Sequence, residues 1–139
     1  MIKEITGLHH ITSMASNADA NNVFFTKTLG LRRVKKTVNF DAPEVYHLYY
    51  GDEIGTPGSI MTYFPFAKMS PGQRGAGEVS ITEFAVPKDA LGFWKERLSA
   101  LGVSSLIESS FLGEKRLSFD GPDGDGFALV ESDVRDRTP

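Results

Sequence analysis

The chain predicts an α+β fold: two βαβββ modules forming a curved, cup-shaped mixed sheet with helices on its convex side. Three observations lead there. The order strand, helix, strand, strand, strand is written twice along the 139 residues. Landmarks of the first copy recur in the second: Leu29-Gly30-Leu31 matches Leu101-Gly102-Val103, and Gly58 before the fourth strand matches Gly126 before the eighth. Between the copies, Lys68 to Gly77 is rich in Gly, Pro and Ser and reads as an exposed loop. The chain is thus read as one domain, residues 1–139, made of modules spanning about 5–66 and 77–132.

In the first copy, Leu8 to Met14 is a short β-capable run. Ser16 or Asn17 can cap a helix, and Asp19 sits favourably near its positive end. The helix body carries Val23, Phe24, Phe25 and Leu29, and Gly30 stops it. Leu31 to Phe40 is extended, with Val34 and Val38 among basic residues. Val45 to Tyr50 is rich in aromatics and turned by Gly51-Asp52, and Ser59 to Phe64 follows the turn signals Gly55, Pro57 and Gly58. In the second copy, Glu78 to Val86 is a strand and Pro87-Lys88-Asp89 opens a helix. Leu91, Trp94, Leu98 and Leu101 fall on one helical face, which Gly102 ends. Val103 to Glu108 and Glu114 to Phe119 are strand-like. Phe127 to Glu131 follows Pro122, Gly124 and Gly126 as the last strand. One βαβββ unit leaves a sheet face uncovered. Two copies set edge to edge would enclose a concave ligand cup.

Composition narrows the function classes. A hydrophobic content of 40% with 24% charged residues is ordinary for a soluble globular protein. A domain of this length buries roughly two-thirds of its unfolded surface. Net charge is −3 with the two signs mixed along the chain, and no basic stripe offers itself to phosphates, so nucleic acid is not an expected partner. The absence of cysteine excludes disulfides, thiolate zinc sites and cysteine nucleophiles. No apolar run approaches the roughly 20 residues of a membrane span. Met1 to Ile5 lacks the apolar core of a signal peptide. A cytoplasmic location, with no membrane partner, is the expectation.

Four segments carry a family resemblance: Leu8-His9-His10-Ile11-Thr12, Tyr46-His47-Leu48-Tyr49-Tyr50-Gly51-Asp52, the run Gly55 to Pro65, and Phe84-Ala85-Val86-Pro87. Together, in this order, they resemble the vicinal oxygen chelate superfamily of glyoxalases, fosfomycin and bleomycin resistance proteins and extradiol dioxygenases. The likeness runs across nearly the whole chain and is closest to the hydroquinone-type ring-cleaving dioxygenases. Members of that branch join two double-module halves in one longer chain. This sequence is similar to the N-terminal half, and Ser132 to Pro139 resembles the linker into the second. The resemblance implies a divalent metal, Fe(II) first and Mn(II) or Zn(II) as alternatives, and a small hydroquinone- or catechol-like substrate. It implies His10 as the first-half metal ligand, His9 as an acid/base catalyst and Thr12 as a hydrogen-bonding neighbour. The other histidine and a glutamate of the branch come from the second half, so a complete site would need that half or a second copy of the chain.

The residues themselves set limits on that reading. A non-haem Fe(II) site needs two imidazoles and one carboxylate on one face of the metal. Strand alternation sends His9 and His10 to opposite faces unless a bulge intervenes. Glu131 is the only carboxylate within the last strand and the candidate second ligand, although the register of that strand leaves Leu129, Val130 or Glu131 at the critical place. His47, Tyr49 and Tyr63 are candidate substrate-binding residues, with Phe64 beside them. The alternatives are a metal-free small-molecule binding protein of the bleomycin-resistance kind, a glyoxalase-like lyase or isomerase, and a half-enzyme inactive alone. Open sheet edges favour a homodimer.

Overall fold

The computed structural model describes residues 4, 5 and 7–132. Met1–Lys3 and the linker-like Asp133–Pro139 lie outside the described residues. The chain divides into two compact units, Met1–Pro71 and Gly72–Pro139. The first holds β1 (His10–Ala15), α1 (Ala18–Val23), β2 (Arg32–Val38), β3 (Tyr46–Gly51) and β4 (Ile60–Pro65). The second holds β5 (Ile81–Val86), α2 (Leu91–Ala100), β6 (Ile107–Phe111), β7 (Glu114–Asp120) and β8 (Gly126–Glu131). Each forms its own four-stranded mixed sheet, in the orders β1-β4-β3-β2 and β5-β8-β7-β6. In each, the first and last strands pair in parallel and the other neighbours antiparallel. The α+β class and the duplicated βαβββ order are both present.

Helix α1 begins where the Asn17 side chain accepts from the backbone N–H groups of Asp19 and Ala20, each at 2.9 Å. It then widens into a π-type turn over Phe24–Thr28, which turns Phe24, Phe25 and Leu29 into the interior. Phe25 stacks on Tyr50 with centroids 4.7 Å apart and lies 5.0 Å from Tyr63. These three rings are the centre of the first core, each contributing roughly 1.5–3 kcal/mol by burial. Among the described residues the Tyr50 hydroxyl has no hydrogen-bond partner, and burial pushes its pKa up to about 12, against the opposing pull of Arg33.

Alternation divides every strand of this sheet between two faces. Ala15, Leu48, Tyr50, Met61 and Tyr63 are buried and include the residues that meet the helix. His10, Thr12, Met14, His47, Tyr49, Thr62 and Phe64 share the other, open face. In the second unit, Leu98 of α2 joins Leu117, Phe119, Phe127 and Leu129 in an apolar core.

Three sequence expectations shift by a few residues, each for a local reason. The sixth strand runs over Ile107–Phe111 rather than Val103–Glu108, because the two-residue turn Leu112-Gly113, both at positive φ, pairs Phe111 with Glu114 and sets the register. Helix α2 starts at Leu91, beyond Asp89 at φ 62, and Leu101 stands outside it, 50% exposed. The ladders also revise the internal overlay. His10 pairs with Ile60 and Ile81 with Gly126, so Gly126 corresponds to Ile60. Counting back two residues on each side, Gly58 corresponds to Gly124, and both lie at positive φ, +93 and +80. A Cβ on Gly58 would sit 3.2 Å from the Leu8 carbonyl oxygen. In the loop between the modules, Arg74 donates to the Gly124 carbonyl at 2.9 Å and pairs with Glu78 at 3.2 Å.

Candidate functional site

The open face of the first sheet gathers most of the residues singled out by the sequence. His10 opens β1, so His9 stands just before the ladder, its carbonyl accepting from Gly58 N–H at 2.7 Å. Strand alternation therefore does not separate the two imidazoles: their Nδ1 atoms lie 3.0 Å apart with the rings edge to face. One of the two nitrogens must carry the proton and the other accept it.

Further along the face a row of hydrogen bonds crosses three strands. Thr12 Oγ1 on β1 lies 2.8 Å from Thr62 Oγ1 on β4. Thr62 Oγ1 is 3.0 Å from His47 Nε2 on β3, and His47 Nδ1 is 2.9 Å from the Tyr49 hydroxyl. The ladders place Thr12 and Tyr49 on either side of Thr62. The imidazole stacks on Phe64 at 4.0 Å, and Lys35 lies 5.4 Å over the Tyr49 ring. Burial, then the charges of His10 and Lys35, holds the His47 pKa below its ordinary value of 6.5. The imidazole is therefore neutral near pH 7, with one nitrogen donating and the other accepting. At one end of the sheet an open groove of about 800 Å³ is lined by Met14, Val45, Pro65, Phe66 and Met69, together with Glu44 and Lys68.

Two candidates are placed elsewhere. Tyr63 is fully buried against Phe25 on the helix side, because neighbours along a strand point to opposite faces. The wall position expected of it belongs to Phe64. Glu131 pairs with Val86 on the helix side of the second sheet, and its Oε1 accepts from Leu91 N–H at 3.4 Å where α2 begins. It serves a helix start. The register also resolves the equivalence of the last strand, with Leu129 at the place of Tyr63 and Val130 at that of Phe64. Thr62, fully buried and central to the row, was not a candidate: an isolated threonine in an otherwise apolar strand carries no signal of its own.

As a metal centre, this face is limited by its donors. The His9–His10 pair offers imidazole nitrogens, but among the described residues no group of three or more His, Asp or Glu side chains is placed to hold a metal ion. These residues do not complete the two-imidazole, one-carboxylate set of a non-haem iron site.

Comparison with known proteins agrees with the architecture. No family model matches the chain. It is 48% identical over 125 residues to a Bacillus subtilis protein named as a ring-cleaving dioxygenase, MhqE, covering 90% of this chain and 41% of that protein. It is 41% identical over 135 residues to the chlorohydroquinone/hydroquinone 1,2-dioxygenase of Sphingobium indicum, covering 95% of this chain and 42% of that protein. A crystal structure of a Bacillus subtilis protein named as a dioxygenase superposes with a TM-score of 0.87 at 44% identity, over 91% of this chain and 40% of that one. At the level of fold alone, a variant of the fosfomycin resistance protein FosX of Listeria monocytogenes, solved with Mn(II) and a dihydroxypropylphosphonic acid, superposes over the full length of both chains with a TM-score of 0.67 at 16% identity. The fold is that of the vicinal oxygen chelate superfamily. Within it, the relatives at 41–48% identity carry the names of ring-cleaving and hydroquinone dioxygenases, and the chain spans about two-fifths of the length of each.

Proposed function

We propose that the chain is part of a ring-cleaving, extradiol-type dioxygenase acting on hydroquinone- or catechol-like aromatics, and that the open face of its first unit holds the aromatic ring. The observation that carries this reading is the row Tyr49–His47–Thr62–Thr12 beside Phe64. It is a flat aromatic surface edged by neutral groups that both donate and accept hydrogen bonds, as a phenolic ring requires. The ring would lie near Phe64 and His47, with a hydroxyl directed to Thr12 and His9 exchanging a proton with it. We assign His10 one position in the shell of a divalent metal, Fe(II) before Mn(II) or Zn(II). The remaining ligands would come from a second double-module half or from a second copy of the chain.

The test is a titration of hydroquinone into the isotope-labelled chain, followed residue by residue by NMR. Resonances of Thr12, His47, Tyr49 and Phe64 should move together. A response absent there, or centred on the second unit, would overturn the assignment of the ring site. Anaerobic Fe(II) titration of the chain and of His10→Ala tests the ligand assignment separately: binding that is weak in the parent and lost in the variant supports it, and equal binding refutes it. The neutral row beside an aromatic wall also suits a metal-free binding protein. Unchanged hydroquinone affinity with and without metal would favour that second reading.

A further inference from the structure

Thr62 lies in β4, between β1 and β3, with no exposed surface. Its hydroxyl touches Thr12 Oγ1 on one side at 2.8 Å and His47 Nε2 on the other at 3.0 Å. A hydroxyl owns one proton and so donates to only one of these two partners. That restriction leaves the row two self-consistent states. In the first, Thr12 donates to Thr62, Thr62 donates to His47 Nε2, and Nδ1–H donates to the Tyr49 oxygen. Thr12 then has lone pairs left for an incoming donor. In the second, every bond reverses: Tyr49 O–H donates to Nδ1, Nε2–H donates to Thr62, and Thr62 donates to Thr12. The Thr12 proton is then released for an incoming acceptor.

We propose that Thr62 is a positioning residue that ties the donor or acceptor role of Thr12 to the tautomer of His47, so that one site receives both a phenolic hydroxyl and a ring carbonyl. This rests on the ring site proposed above. A phenol, giving its proton to the hydrogen bond at Thr12, selects the Nδ1–H tautomer. A quinone-type carbonyl, taking one, selects the Nε2–H tautomer. The neutral state of His47 supports this, since a doubly protonated ring would donate at both ends and hold Thr62 in one orientation. The same face would then hold an aromatic diol and its oxidised dione without moving a side chain, only protons.

The imidazole nitrogens of His47 report the tautomer directly through their ¹⁵N shifts. Phenol and 4-pyranone, a soluble six-membered ring whose carbonyl only accepts, are the probes. Phenol should move the two His47 nitrogen signals one way and 4-pyranone the other. Thr62→Ser, which keeps the hydroxyl, should retain the opposition. Thr62→Val should remove it and weaken phenol binding roughly fivefold, the worth of about one hydrogen bond. Shifts in the same direction for both probes, or an unaltered opposition in Thr62→Val, would refute the coupling. A ligand-free measurement separates this from failure of the ring site. Thr12→Val should displace the His47 nitrogen signals when Thr62 is present and leave them fixed in a Thr62→Val background. Insensitivity of His47 to Thr12→Val in both backgrounds would overturn the proposal whether or not either probe binds.

Discussion

The two units present the same backbone with opposite chemistry on their open faces. Ladder register makes the correspondence residue by residue: Thr12 stands where the second unit has Glu83, Thr62 where it has Ala128, and Phe64 where it has Val130. Across the antiparallel pair, Tyr49 answers to Ser118 and His47 to Arg116. The first face carries a neutral row that can reverse its hydrogen bonds. The second carries an ion pair, Arg116 to Glu83 at 2.6 Å, with the guanidinium 5.0 Å from the Phe111 ring. An ion pair has one arrangement, since guanidinium only donates and carboxylate only accepts. A duplicated fold thus yields one face suited to exchanging protons and one suited to bracing strands, with Arg116 spanning from β7 to β5 across β8. The lesson is that equivalence of backbone position carries no equivalence of chemistry.

Four measurements break or sharpen the contrast. The largest effect is expected from Phe25→Ala. It removes the ring between Tyr50 and Tyr63 and should cost about 3–5 kcal/mol, read by denaturant unfolding with amide exchange. Loss confined to residues 7–71 would establish that the two cores are independent, and equal loss of protection in both units would break the comparison. Next is Glu83→Gln, which leaves a largely buried Arg116, 13% exposed, without its counter-charge. The expected cost is about 1–2 kcal/mol, moderated because Glu83 is 45% exposed. No change in midpoint would show that the pair does not brace the sheet.

A smaller effect, of opposite sign, is expected for Tyr50→Phe. The Tyr50 hydroxyl is buried with no partner among the described residues, and the ladder places Phe119 at the corresponding position of the second unit. Removing the hydroxyl should stabilise the chain by up to about 1 kcal/mol. Destabilisation would reveal a partner for that oxygen.

The smallest effect is the pH response of His47. Its folded pKa is depressed below the ordinary 6.5 by burial first, then by His10 and Lys35. The unfolded chain therefore binds a proton at higher pH than the folded one. Stability should be full above about 6.5 and fall as pH drops through that value to the lower folded one. Thermal midpoints of the parent and His47→Gln should converge as pH is lowered through this window. Parallel curves would place the titration elsewhere.

Much of this was legible in the residue order. The twofold βαβββ pattern, the Asn17 cap, the linker and the aromatic richness of β3 all follow from local rules that act over a few residues. His9, His10, Thr12, His47 and Tyr49 could be singled out for the same reason. Other features were not. Face assignment depends on strand phase, and a shift of one residue exchanges the two faces, so Tyr63 and Phe64 could not be told apart. Glu131 looked like a ligand because a carboxylate stood at the end of a strand, and only the position of α2 gave it the Leu91 N–H as partner. The sixth strand was displaced by four residues at its start and three at its end because its register is set by a turn at its far end.

From the order of amino acids alone came the class of fold, its duplication and the chemical types available to a site, since periodicity, caps and turns are local properties. Which of those groups meet was decided by tertiary structure. The contacts between Thr12, Thr62 and His47 join residues 15 to 50 positions apart. They exist because β1 pairs in parallel with β4 while β3 runs antiparallel to it. That pairing brings two hydroxyls and an imidazole into one row, an arrangement that no stretch of the chain encodes by itself.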